Sequence, residues 1–363
     1  MSLEEILSGI DETLKKIDGL LEGFYQWFAG QYDPETGGFY YAPSSIGPPE
    51  FQPDIESTAQ AVYILSSSGL VDVIPPEVKQ KLIGFIQSRQ DPRTGYFYDP
   101  HNKMREVYRM VGRAVIYSKN CLAALGSKPL YPLPGERGID NLPEQFQNPE
   151  QYRTWLENLN WRDPWMAGDA IQVSGNYLVQ LSESERRPFL EQVLDFLREK
   201  QDGSTGFWGE GAPFRLLSGA FKIALFYNRV DESIPNPERI YQSIFNCIRT
   251  EIPTDMCFVR NPVDLLSSLA PHLTDIPKDD LLEFLRITSK NLALFKRPDG
   301  GFSRGIDKSP AAPNEVVLGR GLCEGDMNAG TQALRIRNYC YNLAGRKAAP
   351  LVEYIGDFYK NWR

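Results

Sequence analysis

Histidine is nearly missing from this chain: 363 residues contain only His101 and His272. No Ser-His-Asp set and no nucleotide-binding fingerprint can be assembled around them. The five cysteines, at 121, 247, 257, 323 and 340, are scattered and none falls at CxxC spacing. They read as reduced thiols of a cytoplasmic protein. No stretch approaches the roughly 18 apolar residues of a membrane span. The opening MSLEEILSGIDETLKK carries acids early and lacks an apolar run, so it does not read as a signal peptide. Positive charge is also short. The net charge is −8 and the pI about 5.1, which argues against nucleic acid as a partner, because phosphate binding needs a basic face.

Hydrophobic residues make up 42% and charged residues 24%, an ordinary globular balance. Within it one shape recurs. Phe24–Tyr41 reads FYQWFAGQYDPETGGFYY and Leu82–Tyr98 reads LIGFIQSRQDPRTGYFY. Val193–Trp208 reads VLDFLREKQDGSTGFW and Asn291–Phe302 reads NLALFKRPDGGF. Each is an amphipathic helix, then Asp with Pro or Gly, then Gly and an aromatic. Asp-Pro and Asp-Gly start tight turns, and Gly takes the positive φ that stops a helix. The segments Glu150–Trp161 and Glu238–Thr250 have the helix without the clean turn.

A second helix follows each of these six, beginning near Asp54, Arg109, Asp169, Arg215, Asp264 and Asp326. These second helices are rich in small residues and poor in charge, which marks buried helices. The preceding helices, such as SESERRPFLEQVLDFLREKQ, have one apolar and one charged face. Buried and amphipathic helices alternating six times describe an inner and an outer ring. The expected fold is all-α, a single (α/α)6 toroid over residues 1–363 with a central cavity. Irregular insertions fall near 127–148 and 303–324; segments of that kind are often lids or binding loops.

The Gln…Asp…Gly-aromatic turn resembles the repeat shared by squalene-type terpenoid cyclases and protein prenyltransferase β subunits, from about Leu20 to Gly345. Two stretches are similar in more detail. Asp54-Ile55-Glu56-Ser57-Thr58-Ala59 resembles the D-x-D-D-T-A segment of class II terpene cyclases. The resemblance puts Glu56 at the position of the proton-donating acid, while Ser57 replaces the last acid. Arg260–Leu266 (RNPVDLL) resembles the prenyltransferase segment whose Asp-x-Cys binds zinc. Asp264 matches, Leu266 stands where the Cys should be, and Asn328 stands where the His should be. Asp255-Met256-Cys257 spells Asp-x-Cys but has no His partner. A carboxylate alone cannot hold tetrahedral zinc, so neither metal nor cofactor is implied.

Aligned on their starts, the inner helices place Asp54, Arg109, Asp169, Arg215, Asp264 and Asp326 around one mouth of the cavity. Aspartates there have an ordinary use as helix caps, and the arginines as surface ion-pair partners. The functional reading is a polar rim. In it Asp54, Glu56, Asp169 and Asp326 are catalytic candidates, and Arg109, Arg215, Asp264, Asn328, Trp161 and Trp165 contact ligand. Three functions stay open. One is a site binding or acting on an isoprenoid-like ligand without zinc. The second is a carbohydrate hydrolase or lyase using rim carboxylates on an oligosaccharide. The third is a non-catalytic binding protein. A dry aromatic well below Glu56 favours the first, and a groove of Trp, Arg and several carboxylates the second.

Overall fold

The computed structural model describes residues 1–352, 358–360 and 362. Thirteen α-helices follow in order: α1 (Leu3–Gly19), α2 (Phe24–Ala29), α3 (Ile55–Ser67), α4 (Pro76–Gln87), α5 (Tyr108–Ala124), α6 (Pro149–Glu157), α7 (Pro164–Leu178), α8 (Glu183–Lys200), α9 (Pro213–Val230), α10 (Pro237–Thr250), α11 (Met256–Leu269), α12 (Lys278–Ala293) and α13 (Met327–Leu343). Among the described residues the strand pairings are isolated bridges. Around the ring α3 packs on α5, α5 on α7, α7 on α9, α9 on α11, α11 on α13, and α13 back on α3. The ring is closed, and the fold is the all-α toroid of six hairpins.

The outer helices earn their places by one-sided burial. α8 buries Phe189, Val193, Phe196 and Leu197, and is opened by a capping box between Ser182 and Glu185. α1 carries the same device at Ser2 and Glu5 and packs on α12, closing the outer layer. The inner helices are buried on nearly every side, as α7 shows from Ala167 through Leu178. α7 and α9 approach most closely because Gly219 lies against Pro164. A Cβ there would stand 2.5 Å from the Pro164 carbonyl oxygen.

The repeated turn locks adjacent hairpins. Gln90 Nε2 donates to the Gly95 carbonyl (3.2 Å) and to that of Tyr131 in the next connection (2.8 Å). Gln201 Nε2 does the same to Gly206 (2.9 Å) and Pro235 (2.8 Å), and Lys296 Nζ to Gly300 (2.8 Å) and Glu22 (2.7 Å). Gly95 has φ +78°, and a Cβ on it would fall 2.1 Å from the Pro132 carbonyl oxygen. Phe39, Phe97, Trp208 and Phe302, the aromatics that end the turns, are buried.

Two inner helices begin earlier than their composition implies. α7 starts at Pro164 and α11 at Met256, not near Asp169 and Asp264. The caps are Asp163, which accepts from Met166 N, and Asp255, which accepts from Cys257 N. An Asp cap followed by Pro at the first helical position is a strong start signal in Asp163-Pro164. In α11 the chain stays helical through Pro262, so that proline does not mark the start. Asp169 and Asp264 therefore lie inside the ring, one layer behind the cavity wall, rather than at its rim. Asp54 and Asp326 do cap α3 and α13, accepting from Ser57 N and Ala329 N. α5 starts at Tyr108 and α9 at Pro213, without side-chain caps.

Candidate functional site

Axial residues of the six inner helices enclose a cavity of ≈ 390 Å³, within the size range of small-molecule sites. The helical repeat fixes what points inward. α3 contributes Glu56, Gln60, Tyr63 and Ser66; α5 contributes Arg113, Ile116, Tyr117, Asn120 and Ala124; α9 contributes Lys222, Leu225 and Arg229; α13 contributes Asn328, Thr331, Gln332 and Arg335. Trp165, Gln172, Cys257, Arg260 and Asn261 complete the wall. Asn120 and Ala124, both exposed, lie at the end where the inner helices finish.

The opposite end is covered by the insertion at 303–324. Arg304 N donates to Asp326 Oδ2 (2.6 Å), and the Arg304 carbonyl accepts from Met256 N (2.7 Å). Ser309 Oγ donates to the same Asp326 oxygen (2.7 Å). Asn314, at φ +55°, turns its amide inward, and Glu315, at φ +72°, pairs with Arg109 (3.2 Å). Two consecutive non-glycine residues in the left-handed region are strained backbone of the kind found at binding sites.

Glu56 is buried, lines the cavity and is surrounded by donors. Asn314 Nδ2 reaches its two oxygens at 3.2 and 3.4 Å, Gln60 Nε2 reaches one at 3.2 Å and Asn328 Nδ2 at 3.4 Å. Asp54 stands behind it, off the main cavity, and among the described residues its Oδ2 has no hydrogen-bond partner. Burial, then the neighbouring Asp99, hold the Asp54 carboxyl well above its usual range. Burial pushes Asp99 up to about 6, against the Ile55 N–H and Arg89. Burial also lifts Asp326 to about 6.

The wall is cationic. Arg113, Lys222, Arg229, Arg260, Arg304 and Arg335 all line it, with Glu56 as the one lining carboxylate among the described residues. Two further acids stand one layer back and each serves two cations. Asp169 Oδ1 meets Arg113 Nη2 and Lys222 Nζ, both at 2.8 Å. Asp264 meets Arg260 and, at 4.0 Å, Arg335. Arg304 pairs with Asp255 (3.3 Å). Among the described residues Arg229 meets no carboxylate; its Nη1 donates to the Gln172 carbonyl (2.9 Å). Burial pulls Arg229 down to about 10. Burial opposes ionisation of Asp169, but Arg113 and Lys222 outweigh it and hold the carboxyl well below its usual range. Burial pulls Lys222 down to about 8, with Arg113 adding to it against the attraction of Asp169.

The sequence-derived rim is thus partly dispersed. Glu56, Trp165 and Asn328 face the cavity. Arg109 sits over the Trp165 ring (5.6 Å) and Arg215 pairs with Asp163 (2.8 Å). Trp161 does not overhang the cavity. It packs on Phe196 and donates to the Leu156 carbonyl (3.3 Å), because it precedes α7 in a turn laid against α8. Asn314, Arg229 and Arg304 were not singled out in sequence. Arg229 carried a readable signal, since Lys222, Leu225 and Arg229 follow i, i+3, i+7 spacing on one helix face. Asn314 and Arg304 lie in irregular chain, which has no period. Among the described residues no three His, Cys, Asp or Glu side chains are placed to hold a metal ion, and no helix is long and apolar enough to cross a membrane.

Similar solved structures include variants of the type II terpene cyclase MstE from Scytonema. The form in complex with the product merosterolic acid A is 12% identical (TM-score 0.48), over 92% of this chain and 99% of that one. The form with the substrate geranylgeranyl dihydroxybenzoate is 13% identical, with the same coverage and TM-score. An unliganded form is 13% identical (TM-score 0.48), over 94% of this chain and 99% of that one. Neither a protein-family model nor a curated protein matches the sequence.

Proposed function

We propose that the toroid binds, in its central cavity and without zinc, an isoprenoid-like small molecule that carries an acidic head group. One observation carries this reading: Arg229, a largely buried guanidinium facing the cavity, has no carboxylate partner among the described residues, in a wall that already holds five other cations. A buried cation without a counter-charge is costly, and an anionic ligand supplies the missing charge. Val62, Ile116, Ala124 and Leu225 give the same cavity an apolar side, which suits a short hydrocarbon body. Glu56, ringed by amide donors, is arranged to orient a ligand. Hydrolysis of a glycoside needs two free carboxyls flanking the bond. Asp169 and Asp264 are each committed to two cations, so the cavity favours the acid-bearing ligand over the oligosaccharide.

The test is thermal unfolding with geranyl diphosphate, geraniol, inorganic pyrophosphate and cellotetraose. Ligand at a hundred times its dissociation constant adds about 2.7 kcal/mol to stability. The expected order is geranyl diphosphate above pyrophosphate, with a response that weakens as salt rises and drops in Arg229→Met. Stabilisation by cellotetraose alone, or by geraniol as strongly as by its diphosphate, overturns the proposal.

A further inference from the structure

Five of the six cavity cations are guanidinium groups, which do not release their proton in proteins. Lys222 is the exception, and its surroundings are unusual for a lysine. Its Nζ shares a single oxygen, Asp169 Oδ1, with Arg113 Nη2, each at 2.8 Å. One acid charge is therefore divided between two cations, while Asp169 Oδ2 has no hydrogen-bond partner among the described residues. Arg260, on the neighbouring α11, adds further positive charge. The Trp165 and Phe221 rings lie 5.9 and 5.7 Å from Nζ, and the lysine side chain is 12% exposed. An amine set in a cation surplus, among aromatic rings and open to a ligand cavity, has the arrangement that makes lysine a nucleophile towards carbonyl carbon.

We propose that Lys222 forms an imine with the carbonyl group of an oxo acid bound in the cavity. This rests on the anion-binding reading above, because the acid group is what brings the carbonyl to the lysine. The free amine adds to the carbonyl carbon, forming the C–N bond, and the amine proton passes to the carbonyl oxygen. A proton from solvent then joins the hydroxyl of the resulting carbinolamine, its C–O bond breaks and water leaves. The product is a protonated imine, whose positive charge keeps the pairing with Asp169. No oxidant or reductant takes part. The burial that pulls Lys222 down to about 8 leaves on the order of a tenth of it as free amine at pH 7.

The experiment treats the full chain with 4-oxopentanoate and cyanoborohydride, which traps an imine as a stable secondary amine, and maps the adduct by peptide mass. Pentan-2-one is the neutral control and hexanoate the competitor. Lys222 is expected to be modified on the order of tenfold or more above surface lysines, more by 4-oxopentanoate than by pentan-2-one, and less when hexanoate is present. Lys222→Arg keeps the charge and removes the adduct. Equal labelling of Lys222 and surface lysines overturns the imine. Thermal stabilisation by hexanoate without any adduct overturns the imine alone and leaves the anion site standing. An adduct formed equally well from pentan-2-one removes the acid group from the argument.

Discussion

Asp54→Asn changes one side-chain atom and tests how the acid cluster behind Glu56 is charged. Asp54 is 1% exposed, caps α3 through Oδ1 (2.9 Å from Ser57 N), and leaves Oδ2 unpartnered. Asp99, 4% exposed, accepts from Ile55 N at 3.2 Å on both oxygens. Both carboxyls sit above their usual range, so between the unfolded and folded values the native state binds more protons than the unfolded chain. Stability from these groups is fully present below pH 4 and is lost as pH rises through the folded values. For Asp99 the rise from 3.8 to about 6 is worth on the order of 3 kcal/mol; Asp54 acts in the same direction. Asparagine caps a helix as well as aspartate, cannot ionise, and brings an amide donor to the place of Oδ2. Urea unfolding should find Asp54→Asn more stable than wild type by roughly 1–3 kcal/mol at pH 8, with the difference closing to within about 0.5 kcal/mol at pH 4. Parallel stability profiles of the two proteins from pH 4 to 8 would refute the reasoning.

The other expectations follow from named contacts. Asp264→Asn leaves Arg260 and Arg335 without their shared acid; it should cost about 3–5 kcal/mol in urea unfolding, yet tighten pyrophosphate about tenfold by calorimetry, as the cavity gains positive charge. Gly95→Ala should lose at least about 2 kcal/mol more than Gly138→Ala. Both glycines have positive φ, but only Gly95 has a neighbour, Pro132, inside van der Waals range of a Cβ. Ser309→Ala removes one tether between the 303–324 insertion and α13. Limited proteolysis within that segment should quicken while global unfolding moves by only about 1 kcal/mol.

The fold was readable because it is written many times. A helix, an Asp turn and a Gly-aromatic recur often enough that a single ambiguous copy does no harm. The first copy shows what pattern alone leaves out. Its tyrosine, Tyr32, occupies the bridge position of Gln90 and Gln201, so it lacks their amide and their bond to the next hairpin. The hairpin still forms, because Phe39 is buried and Lys81 Nζ donates across to the Pro34 carbonyl (2.6 Å). Redundancy between hydrophobic burial and hydrogen bonding lets a sequence pattern survive such substitutions.

The site was less readable, and the reason lies in what an aspartate near a helix start can mean. Asp54, Asp163, Asp255 and Asp326 cap helices, while Asp169 and Asp264 neutralise cations inside the ring. All of them are short acids within two turns of a buried helical run, and composition does not separate the two uses. Helical phase does. Counting from the true cap Asp163, Asp169 falls on the same face as Gln172 and faces Arg113 of α5 and Lys222 of α9. Counting from Asp255, Asp264 falls four residues after Arg260 and pairs with it. Asp264 thus neutralises a cation of its own helix one turn earlier, and Asp169 the cations of the helices on either side. An acid that precedes Pro, or lies two or three residues ahead of the free N–H groups, belongs to the cap. On α9, which has no acid, Lys222 meets Asp169 of α7 while Arg229 meets no carboxylate among the described residues, and this is the side of the cavity that the proposed acidic ligand would occupy.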